Sequence, residues 1–364
     1  MVAIRAQALK DLVRDIFVAA GCSEKEGTQL GTSLVGANLA GHDSHGVVRV
    51  PRYIEWKDEG AFIADRTVVV VRETPVLAVV DGQYGFGQTV APQSVEIGIR
   101  KAKATGLSMI ALRNSGHVGR VGEWAEMAAE AGLVSMHYCN APQSLLVAPY
   151  GGVDRRLSTA PYSVGIPRKG QPPLILDFAT SVVAEGKVLV ASQGGKPLPS
   201  HALISPDGKM SGDPHVLYGP FDPVGPRDYK QGEGAIRAFG DHKGSGLAFM
   251  VEILGGALTG TGAANEERPR WANGMLSFYI DPAQLEVQDF FPAEVDRYVD
   301  YFKSSRPAKA GEPVLAPGEP EINTRAKRLA DGVPLPDDTW TAIARTALKV
   351  GLDQARIDRA LAGN

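Results

Sequence analysis

The residues with the clearest chemical potential lie in one short segment, Gly41 to Arg49, which reads Gly-His-Asp-Ser-His-Gly-Val-Val-Arg. The imidazole of histidine has an ordinary pKa of about 6.5, so His42 or His45 can hold and release a proton at neutral pH. Ser44 can orient the ring of its neighbour, and the planar fork of Arg49 matches a carboxylate through two hydrogen bonds. A proton donor and a carboxylate clamp at this spacing would suit a small α-substituted acid.

Two other interpretations of this loop stay open from the residues alone. It can be a polar interhelical loop whose histidines only cap helix ends. His42 and His45 could also ligate a metal ion, but only these two good ligands are local and no partner cluster is evident in the sequence. We therefore predict no metal site.

A second polar turn, Asn114 to Gly122, lies between a predicted strand and a predicted helix. Ligands of α/β folds favour this place, and the N–H groups of a helix start attract phosphate or carboxylate. The glycines of the turn allow a ligand to approach the backbone closely. Such turns are common, and His117 within it is equally compatible with hydrogen bonding to a backbone group.

The usual nucleotide-binding and hydrolase fingerprints are absent from the sequence. The glycine runs Gly82–Gly87 and Gly240–Gly246 lack the Gly-x-Gly-x-x-Gly spacing, and neither a Walker A sequence nor Gly-x-Ser-x-Gly occurs. A nicotinamide dinucleotide would therefore be bound without the Rossmann fingerprint. Lys187 and Lys243, beside glycines near predicted helix starts, are either phosphate ligands or solvated lysines.

Helices are predicted on both sides of the first polar segment. Apolar residues recur every four positions from Ile4 to Ala20, which predicts a first helix. Ser23 and Glu26 have the spacing of a capping box at the start of a second helix, which ends at Gly41. Pro51 then opens a third helix. The polar segment is thus predicted to connect two helices.

From about Pro75 the pattern changes to alternating strands and helices, which predicts an α/β segment. The predicted strands are 76–80, 107–112, 134–140, 174–177 and 275–280, and the predicted helices are 89–104, 121–131, 181–191 and 242–258. The tail returns to helix over 319–330 and 338–350, with Asp337 or Asp338 as the cap of the latter.

The composition excludes several classes of protein. The 364 residues are 44% hydrophobic and 22% charged, which is typical of a globular chain of two or three domains. A net charge of −3 offers no electrostatic argument for nucleic acid or an anionic membrane. Cys22 and Cys139 are the only cysteines, as expected of a reduced cytoplasmic protein. Charged residues interrupt the first helix, so neither a signal peptide nor a membrane span is expected.

Several motifs follow one another along nearly the whole chain, and their order is informative. They are Gly41–Arg49 with Pro51-Arg52-Tyr53, Asn114–Arg120, Asp177–Ser181 with Gly186-Lys187, Lys243–Ala248 and Pro317-Gly318-Glu319. In this order they resemble the family of NAD(P)H-dependent 2-oxo acid reductases that includes malate/L-lactate and L-sulfolactate dehydrogenases. That family is unrelated to the Rossmann-fold lactate dehydrogenases.

The resemblance implies a CH–OH oxidoreductase that transfers a hydride, without metal, between C4 of NAD or NADP and C2 of a small 2-oxo or 2-hydroxy acid. His45 corresponds to the family's proton donor, Ser44 to the hydroxyl that relays or orients that proton, and Arg49 to the carboxylate clamp. Tyr53, in the same motif, is expected to bind substrate. Some branches use the residue corresponding to His117 as the acid/base group, so both histidines are kept as catalytic candidates.

The resemblance also implies where the ligands bind. Thr159 corresponds to a substrate-contacting threonine, and Asn140, at the end of a predicted strand, is expected to face the cofactor. The remaining positions expected to form the cofactor site are His117, Gly119, Arg120, Asp177, Phe178, Ala179, Lys187, Lys243, Pro317, Gly318 and Glu319.

Departures from the family pattern bear on the substrate. Where many members have Gly-Thr-Asn-Pro, this chain has Ser158-Thr159-Ala160-Pro161, so a side chain is lost from the expected pocket floor. Branches that reduce cyclic imines place an acid near the position of Lys187, which argues against imine reduction. The sequence Gly-His-Asp-Ser-His-Gly at Gly41–Gly46, together with Gly240-Asp241-His242-Lys243, most resembles a hydroxycarboxylate dehydrogenase branch that accepts aromatic 2-oxo acids.

The expected fold is α+β, with a non-Rossmann cofactor domain built on a mixed, largely antiparallel sheet plus helices. This implication replaces the parallel, doubly wound sheet that the strand–helix alternation alone would predict. The chain ends, 1–74 with 310–364, would form a discontinuous, mainly helical domain, and 75–309 the cofactor-binding domain. A cytoplasmic homodimer acting on a small molecule is expected by analogy.

Other functions stay open at this point. A related enzyme could reduce the C=N bond of a cyclic imino acid or oxidise ureidoglycolate, and a descendant of such enzymes could bind the cofactor without turnover. Residue spacing does not decide between NAD and NADP, nor does it determine the configuration at C2, the direction of the reaction or the substituent on the third carbon.

Overall fold

The computed structural model describes residues 2–192, 194, 197–221, 227–267, 270–287 and 289–363. The helices are α1 (Ala6–Ala19), α2 (Glu24–Leu39), α3 (Val50–Asp58), α4 (Gly87–Thr105), α5 (Val121–Glu130), α6 (Glu185–Ser192), α7 (His215–Tyr218), α8 (His242–Val251), α9 (Phe290–Lys303), α10 (Glu319–Asp331), α11 (Asp337–Lys349) and α12 (Gln354–Ala362). The strands are β1 (Val2–Ile4), β2 (Val69–Glu73), β3 (Leu77–Asp81), β4 (Leu107–Ser115), β5 (Val134–Asn140), β6 (Val147–Ala148), β7 (Tyr162–Ile166), β8 (Leu174–Phe178), β9 (Leu203–Ile204), β10 (Met210–Ser211), β11 (Ala235–Arg237), β12 (Asn273–Ile280) and β13 (Val333–Leu335).

The chain forms two compact units. The first comprises Met1–His137, Ser163–Asp177 and Ser277–Asn364, and the second comprises Tyr138–Tyr162 and Phe178–Leu276. These boundaries differ from the predicted ones at 74/75 and 309/310. The division into a helical domain and a cofactor-binding domain stays a prediction.

A seven-stranded sheet runs in the order β2-β3-β4-β12-β5-β7-β8. Strand β2 pairs with β3 antiparallel, and β3 pairs with β4 parallel, with Leu77 opposite Met109. The parallel pair is joined through α4, as a crossover connection requires. The fold is therefore mixed α/β with a mixed sheet, and the chain passes between the two units within β5, β7, β8 and β12.

The two ends of the chain meet in the first unit. Ser23 accepts a hydrogen bond at Oγ from the backbone N of Glu26 at 3.2 Å, which confirms the predicted start of α2. Strand β1 pairs antiparallel with β13, α1 packs against α2 and α12, and α10 packs against α2. This arrangement places the C-terminal helices beside the polar loop that connects α2 and α3.

Some elements differ from the predictions for identifiable reasons. Strand β2 was not predicted, because all five of its residues are exposed and the alternation of buried and exposed residues is missing. The predicted helix 242–258 is α-helical only to Val251 and continues as a π-helix over Glu252–Ala257. The predicted cap of α11 at Asp337 or Asp338 was wrong, since α11 begins at Asp337 and Pro336 occupies the capping position.

The second unit has a core of its own around a four-stranded sheet ordered β10-β9-β11-β6. Strand β11 pairs parallel with β6 and antiparallel with β9. The fully buried side chains of this core include Val147, Leu203, Leu217, Ile236 and Val251. In the part of the chain that the structure describes, no helix combines the length and apolarity needed to cross a membrane.

Candidate active site

The polar loop between α2 and α3 is tied to the end of α2 by one buried amide. It forms two 3₁₀ turns that join at Gly46. Asn38 donates from Nδ2 to Oδ1 of Asp43 at 2.6 Å and accepts at Oδ1 from the backbone N of Val47 at 2.8 Å. A Cβ atom at Gly46 would lie 2.2 Å from Oδ1 of Asn38, so only glycine permits this approach.

A residue of α10 holds the same loop. Arg328 donates from Nη1 to Oδ1 of Asp43 at 2.6 Å and from Nη2 to Oδ2 at 2.9 Å, and Nη1 also bonds the backbone O of Asn38. This bidentate geometry is the strong form of an arginine–carboxylate pair. Arg328 was not predicted, because it lies 285 positions from Asp43 and no local pattern marks it.

Within the loop, the three residues predicted to carry the chemistry lie side by side. Ser44 Oγ lies 3.0 Å from His45 Nδ1, and Arg49 donates from Nε to the backbone O of Ser44 at 2.6 Å. Because the guanidinium uses Nε for this bond, its two terminal nitrogens can still take a carboxylate in the described structure. The structure thus brings the three predicted residues together, and their roles stay predictions.

The second candidate histidine belongs to the same site. The rings of His45 and His117 stack with centroids 5.4 Å apart and planes 12° apart. Tyr53 OH lies 2.6 Å from His117 Nδ1, and Gln88 donates from Nε2 to the Tyr53 hydroxyl at 3.0 Å. The contact of Tyr53 shown by the structure is therefore with a histidine, and its predicted contact with substrate stays a prediction.

The position of Gln88 depends on the glycine run Gly82–Gly87, which fits no nucleotide fingerprint. The backbone of this run packs directly on the Asn114–Gly122 turn. A Cβ atom at Gly87 would lie 2.2 Å from the backbone O of His117. The glycines therefore allow two backbones to touch, and α4 begins at Gly87 with Gln88 in its first turn. The glycine run is visible in the sequence, but its packing against the Asn114–Gly122 turn could not be predicted from it.

Arg120, within the second polar turn, is buried, with its side chain 2% exposed. It donates from Nη2 to Oε2 of Glu126 at 2.5 Å, while Nε and Nη1 have no partner among the described residues. Asp177 accepts at Oδ2 from the backbone N of Gly122 at 2.8 Å. The helix start that was predicted to attract phosphate or carboxylate therefore already bonds a carboxylate of the protein itself.

His42, the other histidine of the loop, has a different environment. Its Nε2 lies 3.2 Å from Oε1 of Glu321 in α10. Glu126 also pairs with Arg325 of α10 at 3.4 Å. These carboxylates and Arg325 come from helix positions that no sequence motif marks. His42 is thus engaged with α10, whereas His45 is engaged with Ser44 and His117.

Burial keeps the proton-bearing groups of the site uncharged. Burial, together with the nearby Arg49 guanidinium, lowers the pKa of His45 to about 3. Burial and the same guanidinium lower the pKa of His117 well below its ordinary value. Burial raises the pKa of the Tyr53 phenol. At neutral pH the two histidines are neutral, Tyr53 keeps its proton and Arg49 supplies the positive charge.

Asn140, in the second unit, is buried and holds three chain segments. Its Nδ2 donates to Oε2 of Glu252 at 3.1 Å and to the backbone O of Gly262 at 2.9 Å, and its Oδ1 accepts from the backbone N of Gly274 at 3.1 Å. Glu252, in the π-helix, also accepts from Ser158 Oγ at 2.5 Å. The amide of Asn140 thus has a structural role, and its contact with a cofactor stays a prediction.

The segment that departs from the family pattern is held by Thr180. The backbone O of Thr159 accepts from the N of Thr180 at 2.8 Å and from its Oγ1 at 3.0 Å. Ala160 has φ +35°, a left-handed conformation that asparagine adopts more readily than alanine. The backbone here thus keeps a conformation suited to the asparagine that many family members carry.

Four further predicted cofactor residues lie in the second unit. Phe178 meets Phe239 edge to face, with ring centroids 5.4 Å apart, and Ala179 follows it. Lys187 and Lys243 are exposed in the first turns of α6 and α8. Their predicted contacts with a cofactor stay predictions.

The turn Pro317-Gly318-Glu319 lies in the first unit beside β8, the strand that carries Asp177. The backbone O of Pro317 accepts from the N of Ile175 at 3.3 Å, and Gly318 has φ +92°, which favours glycine. Glu319 begins α10 and pairs with Lys303. The structure therefore brings this turn close to Asp177 in the fold, as part of one unit.

Comparisons with known proteins cover nearly the entire chain. A family model described as malate/L-lactate dehydrogenase matches residues 4–344. Hydroxycarboxylate dehydrogenase B of Escherichia coli K12 is 36% identical over 354 residues, which are 96% of this chain and 94% of that protein. The solved structure of sulfolactate dehydrogenase from Methanocaldococcus jannaschii has a TM-score of 0.84 at 30% identity, covering 99% of this chain and 100% of that one. The delta1-piperideine-2-carboxylate reductase from Pseudomonas syringae pvar. tomato has a TM-score of 0.78 at 27% identity, covering 95% and 100%.

Proposed function

The chain belongs to the malate/L-lactate dehydrogenase family, and from this premise we propose that it transfers a hydride between a nicotinamide dinucleotide and C2 of a small 2-oxo or 2-hydroxy carboxylic acid. The observation that carries the proposal is the cluster in which His45, bonded to Ser44, stacks on His117 beside the open fork of Arg49. A proton-bearing group and a carboxylate clamp are the protein groups that this reaction needs.

The residues of the second polar turn fit a nicotinamide dinucleotide, NAD or NADP. Nε and Nη1 of buried Arg120 have no partner among the described residues, so they can bond oxygen atoms of a ligand. Gly119, at φ +73°, leaves the backbone of the turn without side-chain bulk. When bound, the cofactor supplies or accepts the hydride. His117, Gly119 and Arg120 would hold it, in a binding mode that the absent Rossmann fingerprint indicates is non-Rossmann.

Arg49 is the proposed binding group for the substrate carboxylate. Its Nε is fixed by the backbone O of Ser44, which sets the plane of the guanidinium. The two terminal nitrogens then face a carboxylate as a fork, which is the geometry that distinguishes arginine from lysine. The same positive charge orients a small anionic substrate beside His45.

In the direction of reduction, His45 delivers the proton that the oxygen on C2 requires. Ser44 holds His45 at Nδ1, so Nε2 exchanges the proton with the substrate. The low pKa of His45 has burial as its first cause and the Arg49 charge as its second. A bound carboxylate offsets that charge and therefore raises the pKa of His45, so the substrate itself brings the proton donor toward its working range.

A second candidate reaction is reduction of the C=N bond of a cyclic imino acid. It is favoured by the similarity to the delta1-piperideine-2-carboxylate reductase, at 27% identity. Lys187 argues against it, because imine-reducing branches place an acid near that position. The 2-oxo acid is therefore the proposed substrate class.

The test is the loss of 340 nm absorbance with NADH and with NADPH against pyruvate, oxaloacetate, phenylpyruvate, sulfopyruvate, a ureidoglycolate-type oxo acid and a cyclic imine. We expect turnover of one 2-oxo acid well above the others with one cofactor preferred. His45→Ala should lower kcat by roughly a hundredfold or more while the fold is kept. His215→Ala, which changes an exposed histidine far from the loop in sequence, serves as the matched control.

Two outcomes would contradict the proposal. Preference for the imine would establish the second candidate reaction. Binding of NADH without turnover of any acid in the panel would indicate a protein that binds the cofactor but catalyses no reaction. His45 and Arg49 would then have structural roles.

We also propose a cytoplasmic homodimer. Cys22 and Cys139 are buried thiols that are not joined in a disulfide, as in proteins of a reducing compartment. Exposed aromatic side chains on α9, among them Tyr298 and Tyr301, support an interface on that helix.

A further inference from the structure

We propose that Gln88 and Tyr53 are positioning residues that fix the neutral tautomer of His117 with its hydrogen on Nε2. The use of this tautomer in catalysis rests on the proposed function. The tautomer itself is a property of the free protein and can be measured without substrate or cofactor.

The argument follows the direction of two hydrogen bonds. The amide nitrogen of Gln88 can only donate, so the Tyr53 oxygen accepts at 3.0 Å. The phenol has one hydrogen, and its other close neighbour is His117 Nδ1 at 2.6 Å. Tyr53 therefore donates to Nδ1. A ring nitrogen that accepts carries no hydrogen, so the hydrogen of the neutral imidazole is on Nε2.

The surroundings hold this chain of groups rigidly. Gln88 is 1% exposed and Tyr53 is fully buried. The Tyr53 ring packs against Phe62 and Phe86, with centroids 5.8 Å and 6.0 Å away. A Cβ atom at Gly119 would lie 2.8 Å from Gln88 Nε2, so glycine at this position leaves the space that the amide occupies. The Tyr53 hydroxyl thus lies between Gln88 Nε2 and His117 Nδ1, and the other amide atom of Gln88, Oε1, has no partner among the described residues.

The chain of bonds separates the roles of the two histidines. For His117 to release its Nε2 hydrogen to a ligand, Tyr53 would have to pass its proton to Nδ1 and become a phenolate, which the raised pKa of this buried phenol opposes. His117 therefore donates a hydrogen bond through Nε2 and keeps its proton. In the reduction, the hydride goes to C2 and the proton for the C2 oxygen comes from Nε2 of protonated His45. His45 is then left as the neutral imidazole with its hydrogen on Nδ1.

The decisive experiment is ¹⁵N NMR of the histidine side chains in the full-length protein. The chain has 7 histidines, and His117→Gln assigns the signals of His117. In the wild type we expect a bare Nδ1 and a protonated Nε2. Gln88→Glu should reverse the direction of both hydrogen bonds of the Tyr53 hydroxyl once the introduced carboxyl ionises, because a carboxylate only accepts. Tyr53 then donates to it and accepts from Nδ1, so the hydrogen moves to Nδ1 during a pH titration.

Gln93→Glu is the matched control on the same helix. The Gln93 amide donates to the backbone O of Thr89 at 2.8 Å and has no part in the chain of bonds to His117. This variant should leave the His117 signals unchanged. A wild-type His117 with hydrogen on Nδ1, or a Gln88→Glu variant whose tautomer is the same at every pH at which it is folded, overturns the proposal.

Kinetics give an independent readout. Tyr53→Phe and ionised Gln88→Glu should lower kcat by roughly ten- to a hundredfold, with little change in KM because Arg49 is untouched. Gln88→Leu leaves the bond from Tyr53 to Nδ1 in place, so its loss should be smaller. A purely structural role of Gln88 predicts the opposite order, with Gln88→Leu at least as damaging. If no acid is turned over at all, the proposed reaction fails while the NMR result still decides the tautomer.

Discussion

At the scale of single residues, the proposed binding of the substrate carboxylate to Arg49 predicts a coupling between substrate binding and the protonation of His45. Burial and this charge together hold the pKa of His45 at about 3. A carboxylate on Arg49 offsets the charge and raises that pKa, so more His45 is protonated at a given pH. We expect binding of oxamate, an unreactive analogue of a 2-oxo acid, to take up protons at acid pH, just above the pKa of about 3 of His45, measured by titration calorimetry in buffers of different ionisation enthalpy.

The control for this coupling is a variant of Arg49 without charge. In Arg49→Met, the pKa of His45 starts higher and no charge remains to be offset, so the proton uptake should be lost along with most of the affinity. Equal heats in all buffers with the wild type would contradict the coupling, since no proton would then be exchanged on binding.

His137 gives a prediction for stability. It is fully buried in β5, between Ser135 Oγ at 3.0 Å and Ser277 Oγ at 2.9 Å, and burial lowers its pKa from 6.5 to about 3. Between these values the unfolded chain binds a proton that the folded chain excludes. The free energy of unfolding should therefore fall as pH drops below 6.5, by up to about 1.4 kcal/mol per pH unit from this residue.

Denaturant unfolding over this pH range measures the slope. His137→Gln should make the slope shallower, whatever it does to stability at neutral pH. His201→Gln, at an exposed position, is the control and should leave the slope unchanged. An unaltered slope in His137→Gln would assign the acid sensitivity to other groups, of which His45 and His117 act in the same direction because their pKa values are also lowered.

At the scale of secondary structure, the polar loop between α2 and α3 is bonded to α10. Arg328 donates two hydrogen bonds to the Asp43 carboxylate, and Asn38 connects Asp43 to the next turn of the loop. Without the bonds from Arg328, His45 and Arg49 can shift, and displacements of about 1 Å are costly for catalysis. Arg328→Met should lower kcat/KM by roughly tenfold or more.

The neighbouring residue provides the comparison. Lys327 pairs with Asp331 at 3.4 Å on the exposed face of α10, with side chains 78% and 63% exposed, and such pairs contribute little. Lys327→Met should leave both kcat/KM and the melting temperature close to the wild-type values. If the two variants lose the same activity, the effect belongs to α10 as a whole and the specific role of Arg328 is wrong.

At the scale of the whole molecule, the proposed homodimer can be tested together with its surface. Tyr301 on α9 is 69% exposed, and Tyr298 and Phe302 of the same helix are exposed as well, a grouping of apolar side chains that favours an interface. Light scattering should give twice the mass of one chain for the wild type. Tyr301→Glu should shift the protein toward the monomer, whereas Leu285→Glu, at a position 60% exposed outside α9, should not. A wild-type monomer contradicts the dimer, and a dimeric Tyr301→Glu variant contradicts only the choice of α9.

The sequence by itself determined the local structure and the first part of the site. The capping residue of α2 and the bounds of β5 follow from patterns within a few positions. His45, Ser44 and Arg49 lie within one turn-rich segment, so chain connectivity alone places them together. Proton transfer and carboxylate binding could be inferred because histidine, serine and arginine close together in sequence commonly serve these two purposes.

Only the tertiary structure decided the rest. It stacks His117 on His45, joins Gln88 to Tyr53 by a hydrogen bond and pairs Arg328 with Asp43. These contacts connect residues from 35 to 285 positions apart. It also showed that Asp177 occupies the helix start that was predicted to bind a ligand anion. These contacts depend on how helices pack and on where glycines let backbones touch. Such distances are set by the folded chain as a whole, and no local spacing encodes them.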